Sequence, residues 1–192
     1  TNTQGILDTA SGLLVIPDLA GGVFPFLVFE RGTIDNRLDV PSNLQDAWEA
    51  SAIAGSLGYV TVAPDLLGGG DSKGFHPYLH AASEATASLD MVIAAKAFLA
   101  QQNIQLNEQF FIAGYSQGGH SAMALHRLIE TSYSALFQVT AAAHMSGPYS
   151  LSGVMRNLIL SDEPYPFPGF VAYQMLAYNY VYHWYDSLAQ AF

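Results

Sequence analysis

Apolar residues along the chain fall into five short, nearly continuous runs, separated by longer segments of mixed character. The runs cover residues 12–17, 24–30, 59–64, 110–114 and 139–145. Apolar runs of this length are typical of strands that are covered on both faces, as in a parallel sheet. We therefore predict five strands at these places.

Helical patterns fill three of the gaps between these runs. The first pattern covers residues 43–58, where Ser42 is placed to cap the helix and Gly58 to end it, and amphipathic segments follow at 84–102 and 118–132. Strands that alternate with helices predict an α/β fold with a mostly parallel sheet layered between helices.

The heptapeptide GYSQGGH stands where the fourth apolar run gives way to the third helical pattern. A strand that turns directly into a helix strains the residue at the turn, and only small residues fit two positions before and after it. Gly114 and Gly118 meet this requirement around Ser116. We expect Ser116 at a positive φ, with the backbone amide of Gln117 directed at a developing oxyanion. The simpler alternative is a chance pattern in which Ser116 only caps the helix.

This stretch resembles the nucleophile elbow of the α/β-hydrolase superfamily, and it is similar to secretory-lipase-like esterases of bacteria and fungi. Three further segments fit that group: FERGTI at 29–34, PDLLGGGDS at 64–72 and HPY at 76–78. The resemblance implies a three-layer α/β-hydrolase fold and an esterase that acts through an acyl-enzyme on Ser116. It also implies that the backbone amide of Thr33 is the second oxyanion donor.

Arg31 departs from the pattern of that family, which usually has histidine at this place. A guanidinium group cannot reproduce the hydrogen bonds of a neutral imidazole. We expect Arg31 either to alter the conformation of this loop or to be an exposed side chain paired with an acid such as Glu30.

A serine hydroxyl needs a base to become a good nucleophile, and the chain has six histidines. We expect His76 and His80 to anchor a loop, and His144 to pack near the end of its strand. His120 and His126 lie on the helix that follows Ser116, so they would approach the serine from beneath rather than from the substrate side.

The order expected for a catalytic triad in this fold is serine, acid, histidine, and only Asp162 or Glu163 followed by His183 satisfies it. None of these three residues follows a recognisable apolar strand, which argues against the pairing. The resemblance implies instead that the acid and the histidine belong to two further strands that the chain lacks. We thus expect a sheet incomplete at its C-terminal side, whose open edge pairs with a missing C-terminal portion of the protein or with a second copy.

The resemblance also divides the chain into a hydrolase core, residues 1–150, and an aromatic-rich cap, residues 151–192. Nine aromatic residues lie between positions 165 and 185. They either line an acyl pocket or lid, or they only pack the cap against the core or against a partner.

Composition narrows the classes of function. A formal net charge of −10 with only six scattered Lys and Arg residues argues against nucleic acid and anionic membranes as partners. The chain has no cysteine, and it has neither the spacing of a metal site nor that of a phosphate-binding loop, so we expect no metal and no cofactor. The start at Thr1 rather than Met predicts either that a leader is removed during export to the periplasm or the medium, or that the sequence is a shortened form.

Two classes of function remain open from the sequence. The first is a serine hydrolase of a small-molecule ester or lipid, which uses Ser116 and the amides of Gln117 and Thr33. The second is a non-catalytic binding or interaction protein that keeps the hydrolase scaffold without the acid and histidine of a triad.

Overall fold

A computed structural model describes residues 1–187 and 190 of the chain. Five strands form one sheet in the order β1-β3-β2-β4-β5. Their bounds are β1 (Gly12–Val15), β2 (Val23–Glu30), β3 (Val60–Pro64), β4 (Gln105–Tyr115) and β5 (Ala141–Met145). Strand β1 is antiparallel to β3, and all other pairs are parallel. All five predicted strands and the mostly parallel sheet are confirmed.

Helices fill the gaps much as the sequence predicts. They are α1 (Trp48–Ser56), α2 (Ala81–Gln101), α3 (Gln117–Leu128), α4 (Arg156–Ile159) and α5 (Pro168–Tyr182). A 3-10 turn (Pro41–Asn43) and two π-helical turns (Ile129–Tyr133 and Leu151–Met155) complete the described helical elements.

The prediction that Ser42 caps the first helix is wrong. Ser42 lies in the 3-10 turn, and its hydroxyl donates a hydrogen bond to the Asp65 carboxylate. Helix α1 begins five residues after that turn, at Trp48, without a side-chain cap. The hydroxyl of Ser42 is therefore bound to a carboxylate that is distant in the sequence, and it does not cap α1.

The core lies between one face of the sheet and helices α2 and α3. It includes Phe26 and Val28 of β2, Ile112 of β4, Val92 of α2 and Leu125 of α3, all of which are almost fully buried. Burial of apolar surface at about 25 cal/mol per Å² stabilises this arrangement. The sheet is thereby fixed against α2 and against α3, the helix that follows Ser116.

The carboxyl ends of β2 and β4 meet at one edge of the sheet. From β2 the chain crosses to β3 on one side, and β4 then returns to the other side of β2. Ligands of open α/β sheets bind at such a reversal of strand order, because the loops after the two strands diverge there. The loop after β2 and the turn after β4 are the loops that carry Thr33 and Ser116.

The part of the chain after β4 and α3 is less buried. Strand β5 pairs only with β4 among the described residues, and its side chains alternate between exposed and half-buried. Helix α5 buries only Ala177, and α4 buries no residue. The edge strand expected at this place is confirmed, whereas the domain boundary at residue 150 stays a prediction. None of the helices in the described part of the chain is long and apolar enough to cross a membrane.

Candidate active site

Ser116 lies at the junction between the last residue of β4 and the first residue of α3. Its backbone adopts φ 59° and ψ −121°, and its amide donates to the carbonyl of Met145 at 3.0 Å. A non-glycine residue at positive φ costs about 1–3 kcal/mol and persists only where its surroundings enforce it. The predicted positive φ is confirmed. The side chain of Ser116 makes no capping hydrogen bond, so the idea that it only caps α3 is wrong.

The glycines two positions away allow the close approach that this turn requires. A Cβ atom on Gly114 would collide with the carbonyl of Gly118, and one on Gly118 would collide with the carbonyl of Glu30. The first turn of α3 can therefore lie directly against the end of β2. Gln117 begins α3, where backbone amides have no partner within the helix and carry partial positive charge.

The loop after β2 lies beside this turn. The position of a Cβ on Gly32 would be 4.0 Å from the carbonyl oxygen of Tyr115, the residue before Ser116. The next residue, Thr33, shares a hydrogen bond of 3.1 Å with the hydroxyl of Tyr78. The structure thus places the residues of both expected oxyanion donors on adjoining loops.

The expectation that Arg31 is exposed and paired with Glu30 is wrong. Arg31 is fully buried, and it forms no salt bridge with Glu30. Its Nε donates to the carbonyl of Asp65 at 3.0 Å and its Nη1 to the carbonyl of Gly32 at 2.8 Å. The side chain turns inward because backbone carbonyls of two loops converge on it.

A layer of buried polar side chains lies directly beneath the turn at Ser116. We refer to it as the polar layer, and it consists of Glu30, Arg31, His76, Glu84, Gln117 and His120. Gln117 is at its centre. Its Nε2 donates to Nε2 of His76 at 2.6 Å and to Oε1 of Glu84 at 2.7 Å. The second oxygen of Glu84 accepts from Nδ1 of His120 at 2.6 Å.

Burial and hydrogen bonds set the protonation states in this layer. Burial opposes the charge of Glu84, but hydrogen bonds from His120 and Gln117 outweigh that effect and hold the pKa of Glu84 below its usual value. Burial, with the nearby charge of Arg31, lowers the pKa of His76 to about 4. Glu84 is therefore ionised and His76 neutral near pH 7.

Glu30 behaves differently from Glu84. Burial raises the pKa of Glu30 to about 8, the charge of Glu84 adds to this shift, and the charge of Arg31 opposes it. Neither of its carboxyl oxygens has a hydrogen-bond partner among the described residues. Near pH 7 this carboxyl is therefore mostly protonated.

A cavity of about 310 Å³ opens beside Ser116. Residues from the end of β5 onward supply most of its wall, together with Tyr78 and Leu79. The apolar and aromatic side chains that line it after residue 150 are Leu151, Met155, Ile159, Tyr165, Phe167, Phe170 and Val171. The reading of the aromatic segment as pocket wall is thus confirmed for Tyr165, Phe167 and Phe170.

The histidines do not include a base for Ser116 in the described part of the chain. His76 bonds the carbonyl of Leu67, and His80 caps α2, so both anchor loops as expected. The side chain of His120 is bonded to Glu84, a partner that the sequence did not predict, and not to the hydroxyl of Ser116. His126 and His144 contact each other at 3.3 Å.

The structure does not bring together the acid and histidine that have the right order in the sequence. Asp162, Glu163 and His183 are all exposed. His183 ends α5 in a left-handed conformation, and none of the three lines the cavity beside Ser116. No group of three or more metal-binding side chains occurs among residues 1–187 and 190.

Sequence reasoning missed Glu84 and the side-chain role of Gln117. Glu84 shares one face of α2 with Ser88, Val92 and Leu99, all of them buried. A single carboxylate on an otherwise buried helix face is unusual, since ionised side chains are almost never fully buried without a partner. That pattern was the available signal for Glu84. Gln117 offered no such signal, because its partners come from distant segments.

Comparison with known proteins finds similar structures but no similar sequence families. No family profile matches the chain, and no curated protein is similar to it. A Legionella pneumophila structure described as a candidate hydrolase is 30% identical with a TM-score of 0.86, over 97% of this chain and 50% of that one. A point variant of the rice cell wall degrading esterase LipA from Xanthomonas oryzae is 34% identical with a TM-score of 0.83, over 98% and 52%.

A third structure extends the likeness of the fold. Candida antarctica lipase A is 21% identical with a TM-score of 0.65, and the match covers 100% of this chain and 45% of that one. The chain thus spans about half the length of the solved structures that it resembles.

Proposed function

We propose that this chain, which belongs to the α/β-hydrolase superfamily, carries the nucleophile of a serine hydrolase that cleaves carboxylic esters. One observation carries the proposal: Ser116, at φ 59° between β4 and α3, borders a cavity of about 310 Å³ at the carboxyl edge of the sheet. Such a turn is the nucleophile elbow of this fold, and it exposes the hydroxyl to a bound ester. The esterase structure that the chain resembles at 34% identity supports the same class of reaction.

In this proposal, Oγ of Ser116 attacks the acyl carbon and gives up its proton to a base. The carbonyl electrons move to oxygen, where the backbone amides of Gln117 and Thr33 donate hydrogen bonds. The tetrahedral intermediate then expels the alcohol, which takes the proton, and leaves an ester on Ser116. Attack by water releases the carboxylic acid and restores the serine.

The base in this proposal is a histidine outside the described residues. No described histidine side chain is hydrogen-bonded to the hydroxyl of Ser116. The side chains of His76, His80, His120, His126 and His144 have other partners, and His183 is exposed and does not line the cavity. The esterases that the chain resembles are about twice as long. We place the base on polypeptide that pairs with the free edge of β5, supplied by the same protein or by a second copy.

The cavity favours an ester with a short or medium apolar acyl chain. Its volume of about 310 Å³ lies at the small end of the range of about 300–1,000 Å³ for ligand pockets. Its wall is mainly aliphatic and aromatic, which suits an acyl chain better than a charged group. One of the similar esterases is named for degrading a plant cell wall, a substrate outside the bacterial cell, so we also propose that this protein is exported.

Labelling with a fluorophosphonate probe tests the role of Ser116. The probe forms an Oγ–P bond and loses fluoride, so intact mass and peptide mapping locate it. We expect slow labelling of Ser116 that Ser116→Ala abolishes. Ser146→Ala is the matched control, because Ser146 also has a positive φ, follows the neighbouring strand and lines the same cavity. Label that is spread over other residues and survives Ser116→Ala would contradict the proposal.

Steady-state assays separate the proposed source of the base from an internal one. The chain alone is expected to hydrolyse p-nitrophenyl butyrate at the background rate, because an unassisted serine hydroxyl is scarcely ionised near neutral pH. Rapid turnover that both Ser116→Ala and His183→Ala abolish would instead assign the triad to residues of this chain.

A non-catalytic binding protein is the second candidate. The observation that favours it is that no side chain of a described histidine is hydrogen-bonded to the hydroxyl of Ser116. Such a protein would bind esters or lipids in the cavity without turnover, even when the polypeptide that covers β5 is present. Turnover by that complete assembly would exclude it.

A further inference from the structure

We propose that one tripeptide, His76-Pro77-Tyr78, positions both oxyanion donors, Tyr78 through Thr33 and His76 through Gln117. The inference rests on the proposed function, because it concerns the same two backbone amides. In this proposal, none of the three residues contacts the reacting atoms. They are positioning residues that act through the loops carrying the amides.

The first contact fixes the loop after β2. The hydroxyl of Tyr78 lies 3.1 Å from Oγ1 of Thr33, and either group can be the donor. Tyr78 is 4% exposed, and its ring stacks on the ring of Tyr173 with centroids 4.5 Å apart. A ring held in this way has little rotational freedom, so its hydroxyl is a fixed anchor for Thr33.

The second contact fixes the turn after β4. Nδ1 of His76 lies 2.6 Å from the carbonyl oxygen of Leu67, which can only accept, so Nδ1 carries the ring proton. Nε2 of the neutral ring therefore accepts from Nε2 of Gln117. The other proton of that amide goes to Glu84. Both donors of the Gln117 side chain are thus engaged, which fixes the residue whose backbone amide follows Ser116.

The residue between them makes the two contacts interdependent. Pro77 is buried, and its ring fixes the backbone φ near −65°. The amide of Tyr78 also donates to the carbonyl of His76 at 2.8 Å. The distance between the two anchors is therefore set by a rigid turn, so that the loops after β2 and β4 are held at a constant separation.

This separation matters because an oxyanion is bound by two amides at once. Donors must lie about 2.7–3.1 Å from the position of the oxyanion, and they contribute most when they need no reorganisation. A brace that links the two loops would provide this preorganisation, together with the direct bond of 3.5 Å from Nη1 of Arg31 to Oε1 of Gln117.

Binding of butylboronic acid tests the brace. Boron adds to Oγ of a serine, which loses its proton to solvent, and the resulting tetrahedral anion places an oxygen between the two amides. Boron NMR distinguishes the tetrahedral adduct from the free trigonal acid. 1-Pentanol, which has a neutral CH2OH group in place of the boron, measures packing of the alkyl chain alone.

Tyr78→Phe removes one hydroxyl and keeps the stacked ring. We expect it to weaken the boronate adduct about tenfold, equivalent to loss of one hydrogen bond to a fixed group, with no change in 1-pentanol affinity. Tyr173→Phe is the matched control, since it removes a hydroxyl from the partner ring of the same stack, and it should change neither affinity. His76→Leu should act like Tyr78→Phe, while His76→Gln, which keeps an acceptor, should restore part of the adduct.

The outcomes separate this inference from the proposed function. An adduct that is lost in Ser116→Ala but unaffected by Tyr78→Phe would overturn the brace and leave the nucleophile in place. If Tyr78→Phe and Tyr173→Phe weaken the boronate adduct equally, or if 1-pentanol binding weakens in parallel, Tyr78 acts only through packing. Either result would also overturn the brace. A chain that forms no tetrahedral adduct would contradict both proposals.

Discussion

The polar layer beneath Ser116 and the aromatic segment after β5 contain many polar atoms, but they accommodate them differently. In the layer, Glu84 and Gln117 are about 1% exposed and bind each other within the protein. In the segment 165–185, by contrast, the tyrosine rings pack on one another while most of the residues stay half-buried or exposed. Glu84 and Gln117 depend on each other because neither can exchange a lost partner for water, whereas polar groups at the surface can.

We infer from this difference that the two regions have separate roles. The layer and its glycines fix the backbone around Ser116, so changes there should disturb stability and chemistry together. The aromatic segment forms part of the cavity wall, and only Ala177 of its helix is fully buried, so changes there should alter ligand preference at less cost to the fold. The predictions that follow measure this contrast.

The largest effect on the free energy of unfolding is expected from Glu30, whose carboxyl has no hydrogen-bond partner among the described residues. Because its pKa is raised from 4.5 to about 8, the folded state binds more protons than the unfolded state between these values. Its contribution to stability is therefore fully present below pH 4.5 and is lost as the pH rises through 8.

Glu30→Gln removes this titration. Compared with the parent protein, we expect the variant to gain about 1.4 kcal/mol of unfolding free energy for each pH unit between pH 4.5 and 8. Urea unfolding at several pH values measures the gain. The lowered pKa of His76 makes stability rise with pH, but this effect is the same in both proteins, so it cancels in the comparison. The exposed Glu163 supplies the control, as Glu163→Gln should show no such trend. A pH-independent difference for Glu30→Gln would contradict the prediction.

A smaller effect is expected where a side chain is added at a close backbone contact. Gly118→Ala places a Cβ against the carbonyls of Glu30 and Arg31, and we expect a loss of about 3 kcal/mol because backbone atoms cannot move aside easily. In α5, nothing lies within 4 Å of a Cβ on Gly169, so Gly169→Ala should change stability by less than about 1 kcal/mol. Denaturant midpoints compare the two, and similar values would abolish the contrast between the regions.

The smallest effect is expected for the attachment of the aromatic segment. The hydroxyl of Tyr178 donates to the carbonyl of Leu79 at 3.1 Å. Tyr178→Phe should cost about 1 kcal/mol, the usual net value of one hydrogen bond. Tyr180→Phe, two residues further along the same helix, is the control. Thermal unfolding of both variants measures the difference, and a cost for Tyr178→Phe as large as that of Gly118→Ala would show that the segment is part of the core.

The sequence predicts the features that depend on local patterns. Five apolar runs indicate the five strands, and the glycines on either side of Ser116 indicate its positive φ. It predicts less well where distant residues decide the outcome. Strand β4 begins at Gln105, within a polar stretch, because that stretch pairs with Val23 and Phe24 of β2.

The environment of Arg31 is the clearest example of a feature that the sequence does not predict. Its partners include the carbonyl of Asp65, 34 residues away along the chain. A local pattern places an arginine beside a glutamate at the surface, and only the packed loops reveal why it is buried. The acid beneath the serine, Glu84, is similar, since its role depends on Gln117 and His120 of another helix.

The long range of these contacts has a consequence for the order of folding. Gln117 binds partners that lie 33 and 41 residues before it along the chain, in Glu84 and His76. Contacts between distant segments form only after the intervening loops have closed, which costs entropy before any bond is gained. The pairing of β2 with β4 spans an even longer stretch of chain, as between Val28 and Ile112. We therefore expect the environment of Ser116 to form together with the sheet rather than before it. A chain that has recovered its helices alone would still lack a competent serine.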